Sequence, residues 1–589
     1  MREMAWRPAR LWVSVAALSA AAAACGGGDG NDEAPAAAAP VEVRMLAFND
    51  FHGALEPAGL SLTLPDPSDP AKTVRVNTGG AAYLASALEA QRQGRAHTVT
   101  ISTGDLIGAS PLVSALFRDE PTVEAMNRMK VDLNVVGNHE FDKGLAELRR
   151  VAAGGCSADT SDPNLSSCAS GAGPYPGANF AFLAANVVET ATGQPIFPPY
   201  VVKEFGGIRI GFIGVVTRST PTIVSPAGVQ GLAFGDEAEA LNKYADELDA
   251  QGVKALVAVV HEGGQTSSAW NDTTCANAQG PIFDIVDRLN GKIDVVFSGH
   301  SHAGYNCLRS GIPVIQAYAN GRAISQVDVT LDPASRDVDR SKTVAQNLPV
   351  VNDTNTAEVA ARFTPLGAHA AVQQVVDEYR ALAAPKAARV IGQITAAIDR
   401  TPGAGGDTPA GRLIADAQLA ATAAADKGGA QIAFMNPGGV RADFPCTAGP
   451  CDLTFGQAFT VQPFGNSLVV MTLTGSQIKA LLEQQATGVN AERPRMLQPS
   501  QGFTYVWSAA NPAGQRVSQM KLNGVDIVPG QAYRVTVNSF LADGGDGFTV
   551  LRDDGAERLG GAQDIDALID YIARHSPVAP PTPARILVD

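Results

Sequence analysis

The sequence predicts an α/β protein built as two domains joined by a helix. Three observations predict it. The chain has 589 residues, more than one domain holds at about 100–200 residues each. From 41 to about 330, and again from about 390 to 589, short Val/Ile-rich runs alternate with helical stretches and Gly-rich turns, the rhythm of a layered α/β fold. Between them, Pro365–Ala388 sets Ala368, Ala371, Val372, Val375, Val376 and Tyr379 at three- and four-residue spacing, which makes one apolar helix face. Asp332–Thr364 is polar and weakly patterned, and no internal repeat is found. An apolar fraction of 45% against 17% charged residues suits buried cores and excludes a globally disordered chain.

At the N-terminus, Arg2, Arg7 and Arg10 precede the apolar run Leu11–Ala24, which ends in small residues before Cys25. The run is too short to span a hydrocarbon core, so residues 1–24 read as a signal peptide. Cys25 in this setting resembles the lipobox of bacterial lipoproteins, which implies a lipidated Cys25 and a chain exported to the bacterial envelope. Gly26–Pro40 has no periodic apolar pattern, so residues 25–41 form a lipidated Cys and flexible tether. No later stretch is long and apolar enough to cross a membrane, which leaves the lipid as the only membrane contact. Oligomeric state is not legible.

Export fits the cysteines. Seven Cys less Cys25 leave an even set, as a disulfide framework requires. Cys156–Cys168 and Cys446–Cys451 are close pairs flanked by Gly, Pro and Ser, and Cys275–Cys307 pair by exclusion; a Cys-ligated zinc site lacks its C-x-x-C spacing. Charge narrows the partners. With 44 Lys+Arg against 59 Asp+Glu, the net charge is −15, which argues against a nucleic-acid polymer and leaves small phosphorylated ligands open.

The histidines carry the chemistry. There are only 8 in the chain, and His52, His139, His261, His300 and His302 each follow a short β-rich run, with Gly or a small residue directly after His52, His300 and His302. Strand ends followed by tight turns converge at one edge of a sheet, where α/β proteins bind ligands. His97, His369 and His575 lack that setting and read as surface or helix residues. Oxygen donors share the strand ends: Asp50, two before His52 and on the same side of an extended segment, Asp105 in VTISTGDLIG, and Asn138. Imidazole, carboxylate and amide together suit two hard-to-borderline divalent ions, with Asp105 able to bridge.

The blocks DFHG, GDLIG, GNHEFD, HEGG and GHSH, in this order across residues 48–302, resemble the signature of calcineurin-like metallophosphoesterases. That resemblance implies a four-layer β-sandwich flanked by helices. It also implies two divalent ions, zinc or manganese, one held by Asp50, His52, Asp105 and His302 and the other by Asp105, Asn138, His261 and His300. His139 is then the catalytic imidazole, oriented by Asp142. Such ions activate water and clamp phosphate oxygens for in-line attack.

The second half contains GRLIADAQLAA, AFMNPGGVRADF, QPFGN and NSFLADGGDGF. These resemble the substrate-binding domain of secreted 5′-nucleotidases and UDP-sugar hydrolases. GGDGF sets Asp546 among glycines, where backbone approaches a ligand, and the resemblance implies that this Asp binds ribose hydroxyls. Phe464 and Phe540 sit in turn-like settings where two rings would sandwich a base. Arg441 follows a Gly pair and would fork onto phosphate, with Arg400 as a second candidate. Asn436 occupies the position that contacts the base, but Pro437 follows it where the family has Gly. Arg412 reads equally well as structural.

The expected boundaries are 42–335 for the metallophosphoesterase domain, 336–389 for linker and helix, and 390–589 for the α/β substrate-binding domain. The expected activity is hydrolysis of 5′-nucleotides to nucleoside and phosphate outside the cytoplasm. The alternatives are a UDP-sugar hydrolase, a 2′,3′-cyclic nucleotide phosphodiesterase/3′-nucleotidase, and a non-catalytic surface nucleotide-binding lipoprotein.

Overall fold

Side chains alternate along a strand, and Val41–Phe48 uses both faces. Val43, Met45 and Ala47 enter one core, while Leu46 and Phe48 enter another. Ala255–His261 does the same, sending Ala255, Val257 and Val259 to the first core and Leu256, Ala258 and Val260 to a third. The shared core is therefore the filling between two sheets. The chain, here a computed structural model, is described for residues 39–57, 59–159, 165–171, 173–224 and 226–589. The expected signal peptide, Cys25 and nearly all of the tether lie outside those residues.

One sheet has seven strands. Asp337–Val338, Ala323–Asp332, Val41–Phe48, Thr98–Ser102, Leu133–Val135 and Ala181–Leu183 run in that order, with Val344–Pro349 also pairing Ala323–Asp332. The other has six, in the order Gly304–Arg309, Ile312–Ala317, Val295–Ser298, Ala255–His261, Ile208–Val216 and Tyr200–Phe205. Outside them lie helices: Ala81–Arg92 and Glu120–Met129 on the first sheet, Glu237–Ala250 and Pro281–Asp287 on the second. This is the expected four-layer arrangement. Strands covered on both faces explain the near-continuous apolar runs.

The remainder folds around a five-stranded sheet, Gln498–Pro499, Ile432–Met435, Ala532–Asn538, Ser467–Thr474 and Ala556–Gln563, beside a four-stranded one that ends in Ile586–Val588. Its C-terminal run is tied down by charge. Arg585 forks onto Asp416 at 2.6 and 2.7 Å, and its backbone N–H donates to Asp407 Oδ2, the oxygen that also accepts from Arg412 Nη1 at 2.8 Å. All four side chains are buried, so each ion's lost hydration is replaced by a charged partner. Arg412 is structural.

The connecting helix is Ala370–Ala387, which begins five residues later than the apolar spacing suggested. Leu366 and His369 instead donate backbone hydrogen bonds to Val351 and Ala82, so the chain before the helix is a strap over the first domain. Tyr379 holds the helix there, donating to Glu124 at 2.8 Å. The weakly patterned stretch before it contains the strands Asp337–Val338 and Val344–Pro349. An edge strand with one solvated face carries little apolar signal, which is why the sequence pattern hid them. Cys156–Cys168, Cys275–Cys307 and Cys446–Cys451 are bonded as expected. Among the described residues no helix is long and apolar enough to cross a membrane.

Candidate metal centre and adjoining cavity

Parallel strands end together. In the first sheet Val41–Phe48, Thr98–Ser102 and Leu133–Val135 are parallel neighbours and deliver Asp50, Asp105, Asn138 and His139. In the second, Ala255–His261 and Val295–Ser298 are parallel and deliver His261, His300 and His302. The donors thus come from two sheets at one end of the sandwich, not from one sheet edge as expected.

Their backbone also departs from expectation. Asp50 and His52 have φ of 49° and 47°, so the segment is left-handed and not extended; Asp105, His300 and His302 share this at 49°, 68° and 55°. Each such residue costs on the order of 1–3 kcal/mol, and persists only where its surroundings over-determine it. Here they do. Asp50 N–H donates to Gly104 O and His52 N–H to Asp105 O, while Asn320 N–H donates to Asp50 O. The turns are close enough that Gly104 and Gly137 admit no side chain: a Cβ would collide with His261 Nδ1 at the first and with Asp105 Oδ1 at the second.

Two donor groups result, Asp50/His52/His302 and Asp105/His261/His300, with ligand atoms in each within 4.8 Å of one another. Asp105 Oδ2 faces both, 3.2 Å from His261 Nε2 and 3.7 Å from His52 Nε2. Asn138 Oδ1 lies 3.2 Å from His261 Nε2. The donor chemistry fits cations. His52 Nδ1 faces Gly108 O at 2.9 Å and His261 Nδ1 faces Thr103 O at 2.7 Å. Each carbonyl is placed to accept from the ring Nδ1–H, which turns Nε2 inward. His300 Nδ1 is buried with no hydrogen-bond partner. Burial pushes the His300 imidazole down to about 3, helped by His261. Burial acts on His261 in the same sense, but the carboxylates of Asp105 and Asp50 hold it up at about 10. Buried carboxylates beside inward imidazole nitrogens call for positive charge, and nitrogen with oxygen donors suits divalent metal ions.

Glu140 was not singled out in the sequence. Its carboxylate accepts from the backbone N–H groups of Asp105, Leu106 and Gly137 at 3.0, 2.9 and 2.6 Å, so it ties the loops carrying Asp105 and Asn138. Burial and the neighbouring Asp105 push it up to about 7. Its place next to His139 in GNHEFD was the available signal.

His139 stands beside the donors. Its Nδ1 is 2.8 Å from Asp142 Oδ2, its ring meets His52 edge-on at 5.1 Å, and Phe464 from the second domain stacks on it at 5.8 Å. Burial lowers its proton affinity, yet Asp142 and Asp105 raise it above the ordinary value. Lys143 Nζ donates to Phe464 O at 3.2 Å, a second contact between the domains.

A cavity of about 560 Å³ opens from this point, with Asn138, His139, Asp142 and His300 on one wall and Asn436, Arg441, Phe464, Phe540 and Asp546 on the other. Pro437 does not disturb Asn436. A residue before proline is held extended, and Asn436, at φ −76° and ψ 142°, directly precedes the short 3₁₀ turn Pro437–Gly439. Its Nδ2 donates to Asp546 Oδ2 at 3.2 Å and its Oδ1 accepts from Asn538 at 2.9 Å. Arg441 lies over the Phe464 ring at 5.8 Å. Phe464 and Phe540 line the same cavity, though Phe464 faces His139. Arg400 lies off the cavity wall, paired with Asp443 at 3.0 Å. Arg495 does line it and was not foreseen; its Nη1 donates to Asp546 Oδ1 at 2.8 Å.

Residues 43–304 match the calcineurin-like phosphoesterase family, and residues 390–553 match the 5′-nucleotidase C-terminal domain. Endonuclease YhcR of Bacillus subtilis is 32% identical over 535 residues, 90% of this chain and 40% of that protein. Cell wall protein Lmo0130 of Listeria monocytogenes is 32% identical over 543 residues, 88% of this chain and 65% of that one. The chain spans less than two thirds of the length of either relative. The crystal structure of the 5′-nucleotidase precursor from Thermus thermophilus superposes with a TM-score of 0.71 at 26% identity, covering 93% of this chain and 99% of that one.

Proposed function

The chain belongs to the metallophosphoesterases that carry a 5′-nucleotidase C-terminal domain, and from that premise we propose that it hydrolyses 5′-nucleotides to nucleoside and phosphate outside the cytoplasm. The observation that carries the reading is the shared cavity: Asn138 and His300 of the donor set, with His139 and Asp142, face Arg441, Phe464, Phe540 and Asp546 across about 560 Å³. The proposed domains are 42–335 and 390–589, joined by 336–389.

In this reading Asp50, His52, Asp105 and His302 hold one divalent ion, and Asp105, Asn138, His261 and His300 the other. When bound, such ions lower the pKa of water and neutralise charge on phosphate oxygens. The residues do the rest. Asp546 and Asn436 bind the nucleoside, and Phe540 and Phe464 flank the base. Arg441 forks onto phosphate oxygens, as a guanidinium is shaped to do. Arg400, tied to Asp443, adds field from behind. Water attacks phosphorus and gives up a proton to solvent, the bond to the 5′-oxygen breaks, and that oxygen leaves with a proton, so that nucleoside and hydrogen phosphate form. His139 supplies the proton from Nε2, because Asp142 engages Nδ1.

A substrate panel tests the reaction: 5′-nucleotides, UDP-glucose, 2′,3′-cyclic nucleotides and an aryl phosphate, with and without chelator. Fastest cleavage of UDP-glucose or a cyclic nucleotide would replace the 5′-nucleotidase reading. Phe540→Ala tests the nucleoside side. Losing a stacking ring removes roughly 1–3 kcal/mol, about fivefold to 150-fold in kcat/KM for a nucleotide. An aryl phosphate has no nucleoside to hold and changes much less. An unchanged ratio of the two would make Phe540 a core residue.

Export is supported by the leader-like sequence before Cys25 and by a relative named as a cell wall protein. We place the chain on the envelope through lipid at Cys25. Cys25→Ser then leaves activity intact and shifts the protein from the membrane fraction to the soluble one; continued membrane fractionation would remove the anchor assignment.

A further inference from the structure

Asp546 is the one residue without glycine's freedom in the Gly544–Gly547 loop, and it holds φ 56° and ψ 18° while nearly buried. Three side chains fix it. Asn490 Nδ2 donates to its backbone oxygen at 2.8 Å, Asn436 Nδ2 to Oδ2 at 3.2 Å, and Arg495 Nη1 to Oδ1 at 2.8 Å. Asn436 is in turn held by Asn538, whose own oxygen caps Leu541 N–H. Among the described residues Arg495 is the only cation in salt-bridge contact with this carboxylate.

Arg495 is itself delivered by a rigid segment. Its N–H donates to Gln485 O at 2.8 Å, and the buried Gln485 side chain accepts from Leu497 N–H and the Tyr505 hydroxyl. Arg493, two residues earlier, also lines the cavity but is exposed and is not paired with Asp546.

Resting on the nucleotidase reading, we propose that Arg495 is a positioning residue of the nucleoside pocket, which holds the Asp546 carboxylate turned toward the ribose hydroxyls. A carboxylate offers about four lone-pair sites. Arg495 and Asn436 occupy one on each oxygen, which leaves one on each for a ribose diol. Without the guanidinium, a buried carboxylate has no charge partner, so it turns to other donors or takes a proton and loses acceptor capacity. Substrate holding is then lost, while phosphoryl chemistry at the far wall is not.

The experiment uses whichever of AMP, GMP, CMP and UMP the full chain cleaves fastest, its nucleoside as a competitive inhibitor, and p-nitrophenyl phosphate. Truncating one partner of a buried charge pair predicts that Arg495→Ala raises the nucleotide KM and the nucleoside inhibition constant by about 30-fold or more. Saturated kcat and aryl-phosphate kcat/KM stay within about twofold, since neither depends on ribose binding. Arg495→Lys falls between, because it keeps the charge and loses the fork. Arg493→Ala isolates the general field of a nearby cation and shifts nucleotide and aryl phosphate alike by a small factor. If Arg495→Ala and Arg495→Lys both keep wild-type nucleotide KM while Asp546→Ala loses it, the Arg495 assignment fails and the nucleotidase reading stands. Equal losses on nucleotide and aryl phosphate in Arg495→Ala also overturn it, as a purely structural role. A wild-type protein that the nucleoside does not inhibit, and that does not prefer nucleotides to aryl phosphate, overturns both.

Discussion

Asp105→Asn cuts phosphate release and metal loading together. Asp105 Oδ2 lies within 3.7 Å of a ring nitrogen in each donor group, so a single neutralisation takes charge from both. The substitution keeps the shape of the side chain, but its amide protons would point at one of the inward nitrogens. Metal ions contribute several kcal/mol of transition-state charge stabilisation, and at about 1.4 kcal/mol per factor of ten turnover falls by about a thousandfold or more. Metal analysis of the dialysed wild-type protein gives about two divalent ions per chain, as a two-metal phosphatase requires, and the variant holds one or fewer. Wild-type turnover in an Asp105→Asn protein, or full activity after exhaustive chelation, would end the hydrolase mechanism.

His139→Ala separates proton handling from metal holding. Its ring lies outside both donor groups, so the variant retains about two ions while kcat/KM falls by about 10²–10⁴, the usual worth of a positioned acid or base. The fall applies to nucleotide and aryl phosphate together, in contrast to Phe540→Ala, because in the proposed reaction the imidazole addresses the phosphoryl group and not the nucleoside. Asp142→Asn, which leaves the ring but loosens its tautomer and aim, costs about 10- to 100-fold. Near-normal aryl-phosphate hydrolysis by His139→Ala would reduce His139 to a structural partner of Phe464.

The donor set was legible because each member follows directly on an apolar strand and because histidine is scarce in this chain. Position along the sequence therefore carried chemical meaning. What stayed hidden depends on backbone geometry and on partners far away in the chain. Nothing in the two-residue spacing of Asp50 and His52 separates a left-handed turn from an extended strand. Glu140 looks like any Glu after a His until three backbone N–H groups are seen to converge on it. Arg495 sits in a charged, Pro-containing stretch that reads as solvated loop, and only the fold brings it onto Asp546, 51 residues further along the chain. The connecting helix was found from its apolar face, but its start was misjudged because Ala368 continues the spacing outside the helix, in the strap anchored by Leu366 and His369.

The left-handed turns that carry Asp50, His52, Asp105, His300 and His302 also widen the target for damaging mutations. Their awkward backbone angles are met by peptide hydrogen bonds between neighbouring loops and by Glu140 beneath them. Gly104, Gly137 and Glu140 belong to neither donor group, yet each fixes where a donor stands. A side chain added at either glycine, or the loss of that carboxylate, therefore shifts the donors about as surely as deleting one of them.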